Sequence, residues 1–116
     1  MKTLSQYSEE VKKNIHSPGY LAELAEEMSA DYAFYSEEMM KIQLIKPLIW
    51  TKIKKEKDNV EREKYLSDNL TEQCWRLQYE GKKEIELKYK MKGLEKMINS
   101  IKTATYIKNQ EAHSVF

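Results

Sequence analysis

Residues 18–53 read PGYLAELAEEMSADYAFYSEEMMKIQLIKPLIWTKI, and their spacing decides the fold class. Leu21, Ala25, Met28, Tyr32, Tyr35, Met39 and Ile42 recur at alternating steps of four and three, and Ile49 and Ile53 resume the register. That rhythm is one stripe on an α-helix. It opens on Ser17-Pro18-Gly19, where Ser17 can cap the helix and Pro18 takes the first helical position, whose N–H needs no partner. The slot between Ile42 and Ile49 holds Lys46, followed by Pro47. Proline removes the bond to the Gln43 carbonyl and clashes with it, so a kink or a break is expected near residues 43–47, at Pro47.

Working outward, Leu4, Tyr7, Val11 and Ile15 lie on one helical stripe and predict a short helix over about 3–16. The long helix is expected over about 18–66. Beyond it, Ser67-Asp68-Asn69 offers caps, and Asn69 with Glu72 has the form of a capping box. A last long helix is expected over about 69–111. Its later part carries Leu87, Met91, Leu94, Ile98, Ile101 and Thr105 in the four-three rhythm. Its earlier part, Leu70, Cys74, Leu77 and Gly81, follows another register, so the stripe must shift or the helix bend near Gly81.

Composition agrees with an all-α reading. The 116 residues are 34% charged and include only three glycines and two prolines, too few turn formers for a sandwich or barrel. One domain is the expectation for this length. Cys74 has no partner for a disulfide. No segment approaches the ~20 apolar residues of a membrane span, and the N-terminus lacks a signal-peptide pattern, so a cytoplasmic protein is expected.

Length then bears on assembly. A globule of this size has a radius of gyration of about 13 Å, whereas a straight helix of ~40 residues is ~60 Å long. The two seams therefore either fold back on one another, break, or meet other subunits. The heptad-like repeats favour subunits. The expectation is an elongated, coiled-coil-like antiparallel bundle that is also a homo-oligomer, with Met28, Tyr32, Tyr35, Met39, Ile42, Met91, Leu94, Ile98 and Ile101 at its interface.

Catalysis and metal binding find little support in the residues. His16 and His113 stand at opposite ends of the chain, and Cys74 has no ligand at metal spacing. Glu23-Leu24-Ala25-Glu26 supplies one Glu-x-x-Glu turn of the kind that magnesium-dependent helical pyrophosphatases pair with a second, and the second is missing. No nucleophile elbow or phosphate loop exists. A protein without catalytic residues, metal or cofactor is expected.

Charge is distributed unevenly. Residues 1–40 hold three lysines against eight acids, residues 41–66 eight basic residues against four acids, and residues 67–116 nine against seven, which gives −5, +4 and +2 and the net charge of +1. The basic middle interleaves lysines with aromatics: Lys52, Lys54, Lys55, Lys57, Arg62 and Lys64, with Trp50 and Tyr65 as stacking candidates. Lysines neutralise phosphates, and an exposed ring can stack on an unpaired base. Trp50 also adjoins the apolar stripe, where burial is expected. The second basic set, Lys82, Lys83, Lys88, Lys90, Lys92 and Lys96, alternates with Glu80, Glu84, Glu86 and Glu95 and reads as a solvated, ion-paired face.

In order and texture the chain resembles the recombination mediators of T-even-type phages. The resemblance covers roughly Tyr20 to Ala112: Tyr20-Leu21, Tyr35-Ser36, the lysine-rich stretch, Leu87-Lys88-Tyr89, Ile101-Lys102-Thr103 and Glu111-Ala112. Where those mediators carry a Lys-Arg-rich segment ending in paired tyrosines, this chain has Arg62-Glu63-Lys64-Tyr65-Leu66, with one tyrosine and an acid. The resemblance implies a helical ring that loads a recombinase on single-stranded DNA in a bacterial host cell. The alternative is a non-catalytic protein-interaction module without nucleic-acid binding, such as a phage inhibitor or adaptor of a host protein.

Overall fold

The protein is described by a computed structural model covering residues 1–61 and 68–114, with side chains at 1–55 and 68–103. Four helices, and no strands among the described residues, make the fold all-α: α1 (Leu4–Lys13), α2 (Pro18–Glu61), α3 (Asp68–Leu77) and α4 (Tyr79–Ser114). Contacts divide the chain into two compact units. One comprises Met1–Tyr35 with Lys90–Phe116, and the other Ser36–Tyr89.

Local chemistry explains the helix ends. Thr3 caps α1 through a capping box: the Gln6 N–H donates to Thr3 Oγ1 at 3.2 Å, and the Thr3 N–H donates to Gln6 Oε1 at 2.8 Å. Such a box satisfies two backbone donors that the helix leaves unpaired. At its other end the Asn14 N–H bonds the Glu10 and Val11 carbonyls. Ser17 stands immediately before α2, and its carbonyl accepts from the Leu21 N–H at 3.0 Å. Pro47 lies inside α2, which continues through it.

The single helix expected over about 69–111 is instead two. α3 begins at Asp68, one residue ahead of the expected Asn69, and the break falls at Gln78, three residues before Gly81. There the Gln78 N–H donates to the Trp75 carbonyl at 3.0 Å, closing a tight turn, and the Gln78 carbonyl accepts the Lys82 N–H at 3.0 Å to begin α4. Gly81 makes the corner fit: a Cβ there would lie 1.8 Å from the Trp75 carbonyl oxygen.

In the unit of Met1–Tyr35 and Lys90–Phe116, α1 packs with the first part of α2 and the later part of α4. Its core is Tyr7, Leu21, Leu24, Met28, Leu94, Ile98 and Ile101, with Leu4, Val11, Ala25, Tyr32, Tyr35 and Met97 packed against it. Each large apolar side chain buried there contributes about 1.5–3 kcal/mol. One polar pair sits inside: the Tyr7 hydroxyl donates to the buried Asp31 carboxylate. Lys2 bonds Glu10 at 2.8 Å and Glu27 at 3.2 Å above this core.

The unit of Ser36–Tyr89 buries Ile42, Ile53, Trp75 and Leu87 together with Thr71 and Glu84. Ion pairs join its helices. Lys83 meets Glu38 at 3.1 Å and Lys54 meets Asp68 at 3.4 Å, so rising numbers along α2 face falling numbers in α4 and α3.

These packings account for the seam. Met28, Leu94, Ile98 and Ile101 share the core of one unit and Ile42 is buried in the other, while Tyr32, Tyr35, Met39 and Met91 are half-buried. Within the chain, α1, α3 and α4 face the stripe of α2 and bury part of it.

Candidate functional site

The densest polar chemistry lies in the unit of Ser36–Tyr89, around the slot of the α2 stripe that Lys46 occupies. Glu84, one turn into α4, is buried there and its side chain is only 4% exposed. Its carboxylate accepts from Gln43 Nε2 at 2.9 Å and Lys46 Nζ at 3.3 Å, with Lys88 Nζ at 3.7 Å. A buried carboxylate needs such partners, since an unpaired one costs several kcal/mol. Lys46 lies between two indoles, 5.8 Å from the Trp50 ring centroid and 5.3 Å from that of Trp75. Its stem shares their apolar surface while its charge meets both π faces and Glu84. Trp75 is fully buried, and its Nε1–H has no hydrogen-bond partner among the described residues. An open groove of about 330 Å³, lined by Gln43, Lys46, Pro47, Trp50 and Glu72, runs beside this cluster.

Glu84 corrects one reading of the sequence. The alternation of charges on α4 places it on a solvated face paired with Lys88, whereas its main partners are on α2 and it is buried. Nearby, hydrogen bonds from Lys41 and then Lys83 hold the Glu38 carboxyl below the usual carboxylate range.

The basic stretch is only partly described. Lys52 and Lys55 are exposed, Lys54 is half-buried and tied to Asp68, and Trp50 is half-buried beside Lys46. The side chains of Lys57, Arg62, Lys64 and Tyr65 lie outside the described residues. Exposed cations therefore stand at two of the three predicted phosphate contacts that are described, and neither makes an ion pair among the described residues.

A second surface emerges on the opposite side of α2. Met40, Leu44, Ile45 and Leu48 are 57, 70, 40 and 75% exposed. Met40, Leu44 and Leu48 are spaced by four, and Leu44 stands nine positions from the buried Ile53, which at about 3.6 residues per turn is half a turn round the helix. These residues form an apolar stripe facing solvent. Its sequence signal was the four-residue spacing itself, which runs beside the inward stripe within the same segment.

Among the described residues, no group of three or more His, Cys, Asp or Glu converges to hold a metal ion, and no helix is long and apolar enough to cross a membrane. Cys74 is half-buried and free. No family model, curated protein or solved structure matches this chain.

Proposed function

We propose that the chain is a non-catalytic interaction module whose docking surface is the outward stripe of α2. The observation that carries this reading is the exposure of Met40, Leu44 and Leu48 at helical spacing. Isolated exposed apolar residues are ordinary, but a contiguous run on one face is the signature of a surface that pairs with another polypeptide. The ion-paired cluster of Lys46, Glu84, Trp50 and Trp75 supports it from behind, because it ties the middle of α2 to α4 and leaves the opposite face to solvent. The test is a photo-reactive residue at position 44, illuminated in the purified protein and in cell lysate. Adducts with polypeptide are expected, and Leu48→Asp abolishes them. No adduct in either setting, or adducts indifferent to Leu48→Asp, overturns the reading.

A second reading retains single-stranded DNA as a partner in a recombination-mediator-like role. Lys52 and Lys55, exposed and without an ion pair among the described residues, favour it. Binding to an oligonucleotide that weakens with salt and with Lys52→Ala/Lys55→Ala supports it, and binding indifferent to both overturns it.

A further inference from the structure

The outward stripe of α2 also carries a charge pattern that selects its occupant. From N- to C-terminus this side of the helix presents Glu37, Met40, Lys41, Leu44, Ile45, Leu48, Lys52 and Lys55, acidic at the start and basic at the end. Glu37, Lys52 and Lys55 are exposed and make no ion pair among the described residues. The pattern is therefore self-complementary only when two such helices run in opposite directions. About a two-fold axis beside position 46, Leu44 meets Leu48 of the second copy, Met40 meets the stem of Lys52 and Glu37 meets Lys55. A parallel pairing would set Glu37 against Glu37 and Lys55 against Lys55.

We propose that the occupant of this surface is a second copy of the chain, packed antiparallel through Met40, Leu44, Ile45 and Leu48, with reciprocal Glu37–Lys55 pairs at both ends. The inference rests on the reading of this stripe as a docking surface and names its partner. Closed two-fold symmetry follows, since one patch meets itself and no open surface is left to propagate a chain of contacts. The contact is small. Met40 to Leu48 spans about 12 Å of helix axis, so the area falls below the roughly 800 Å² per partner of a standard stable interface. The dimer is accordingly concentration-dependent, with dissociation on the order of micromolar or weaker.

Sedimentation equilibrium of the full chain, from about 5 to about 500 µM, reads this directly. Dimer is expected to grow with concentration. Leu44→Asp weakens association at least about tenfold, because it buries a charge at the centre of the contact. Glu37→Lys and Lys55→Glu each weaken it about two- to fivefold, and the double swap Glu37→Lys/Lys55→Glu restores it. Circular dichroism checks that helicity is unchanged, since none of these residues belongs to the core. A monomer across the whole range overturns the second copy as occupant while leaving the docking stripe to the photo-crosslinking experiment in lysate. A dimer indifferent to Leu44→Asp overturns the surface as well, and a double swap weaker than both single variants overturns the antiparallel register.

Discussion

Gly81→Ala is predicted to destabilise the protein even though it replaces a helical glycine with the best helix former. In an open helix this change stabilises by about 1 kcal/mol, because glycine loses the most backbone freedom on folding. At Gly81 the added Cβ would lie 1.8 Å from the Trp75 carbonyl oxygen, 2.6 Å from its carbon and 3.1 Å from the Arg76 Cα. All three are backbone atoms, so no side chain can swing aside. α4 must move away from the end of α3 by more than an ångström, and Trp75, which is fully buried, anchors the side that would have to yield. Overpacking of this kind costs about 3 kcal/mol. Less the propensity gain, the net loss is about 2 kcal/mol, or a fall of roughly 8 °C in Tm for a chain of this size. The other glycines are internal controls. A Cβ at Gly19 meets nothing within 4 Å, so Gly19→Ala is neutral or slightly stabilising, whereas at Gly93 it meets only the flexible end of Leu4, 2.7 Å away, and the loss is intermediate. Urea and thermal unfolding followed by circular dichroism give the ranking. Gly81→Ala as stable as Gly19→Ala would refute the close approach of α3 and α4.

Three further perturbations probe the two units. Lys46→Met leaves the buried Glu84 with Gln43 and the more distant Lys88, and costs about 2 kcal/mol in urea unfolding; the double variant Lys46→Met/Glu84→Leu recovers much of that, since it removes both charges together. The Tyr7 hydroxyl is held protonated beyond its ordinary value of 10.0, first by burial and then by its bond to Asp31. Its folded-state pKa is raised, so its contribution is complete below pH 10 and is lost as pH climbs above it. Lys2, raised by the hydrogen bonds its Nζ donates to Glu10 and Glu27, acts in the same direction. Tyr7→Phe therefore lowers stability at neutral pH but flattens the alkaline decline without abolishing it, and an unchanged slope of urea midpoint against pH above 10 would count against the buried pair. Finally, in Trp50→Phe the remaining indole, Trp75, is fully buried, so its emission is blue-shifted and resists acrylamide; quenching as efficient as that of free tryptophan would contradict the packing of α3.

The inward face of α2 was legible because most of its residues obey one rule, the buried Leu24 and Asp31 lying beside it. Leu21, Met28, Ile42 and Ile53 are buried and Ala25, Tyr32, Tyr35, Met39 and Ile49 half-buried, at the positions the four-three rhythm assigns. Lys46 showed only as a gap in that rhythm. What fills the gap is a partner 38 residues away on α4, and a single sequence carries no signal of such a pairing. The change of register placed a shift or bend near Gly81, but not the full break at Gln78. Glutamine is an ordinary helix former, and the corner is set by a close backbone approach at Gly81 that depends on where Trp75 packs.

The argument from seam length to subunits turns on a different point. Length alone says that a long apolar stripe needs a facing surface, not which chain supplies it, and here α1, α3 and α4 supply it in turn along α2. The same consideration applies half a turn round the helix. Met40, Leu44 and Leu48 are equally regular and equally apolar, yet no helix among the described residues covers them. A helix apolar on two opposite faces belongs in a core with neighbours on both sides; one with neighbours on a single side is half of a packing arrangement. The Lys46–Glu84 pair, with its carboxylate buried and its lysine half-buried, ties the inward side of α2 to α4. The exposed side carries an acidic start and a basic end, the pattern on which the proposed antiparallel pairing rests.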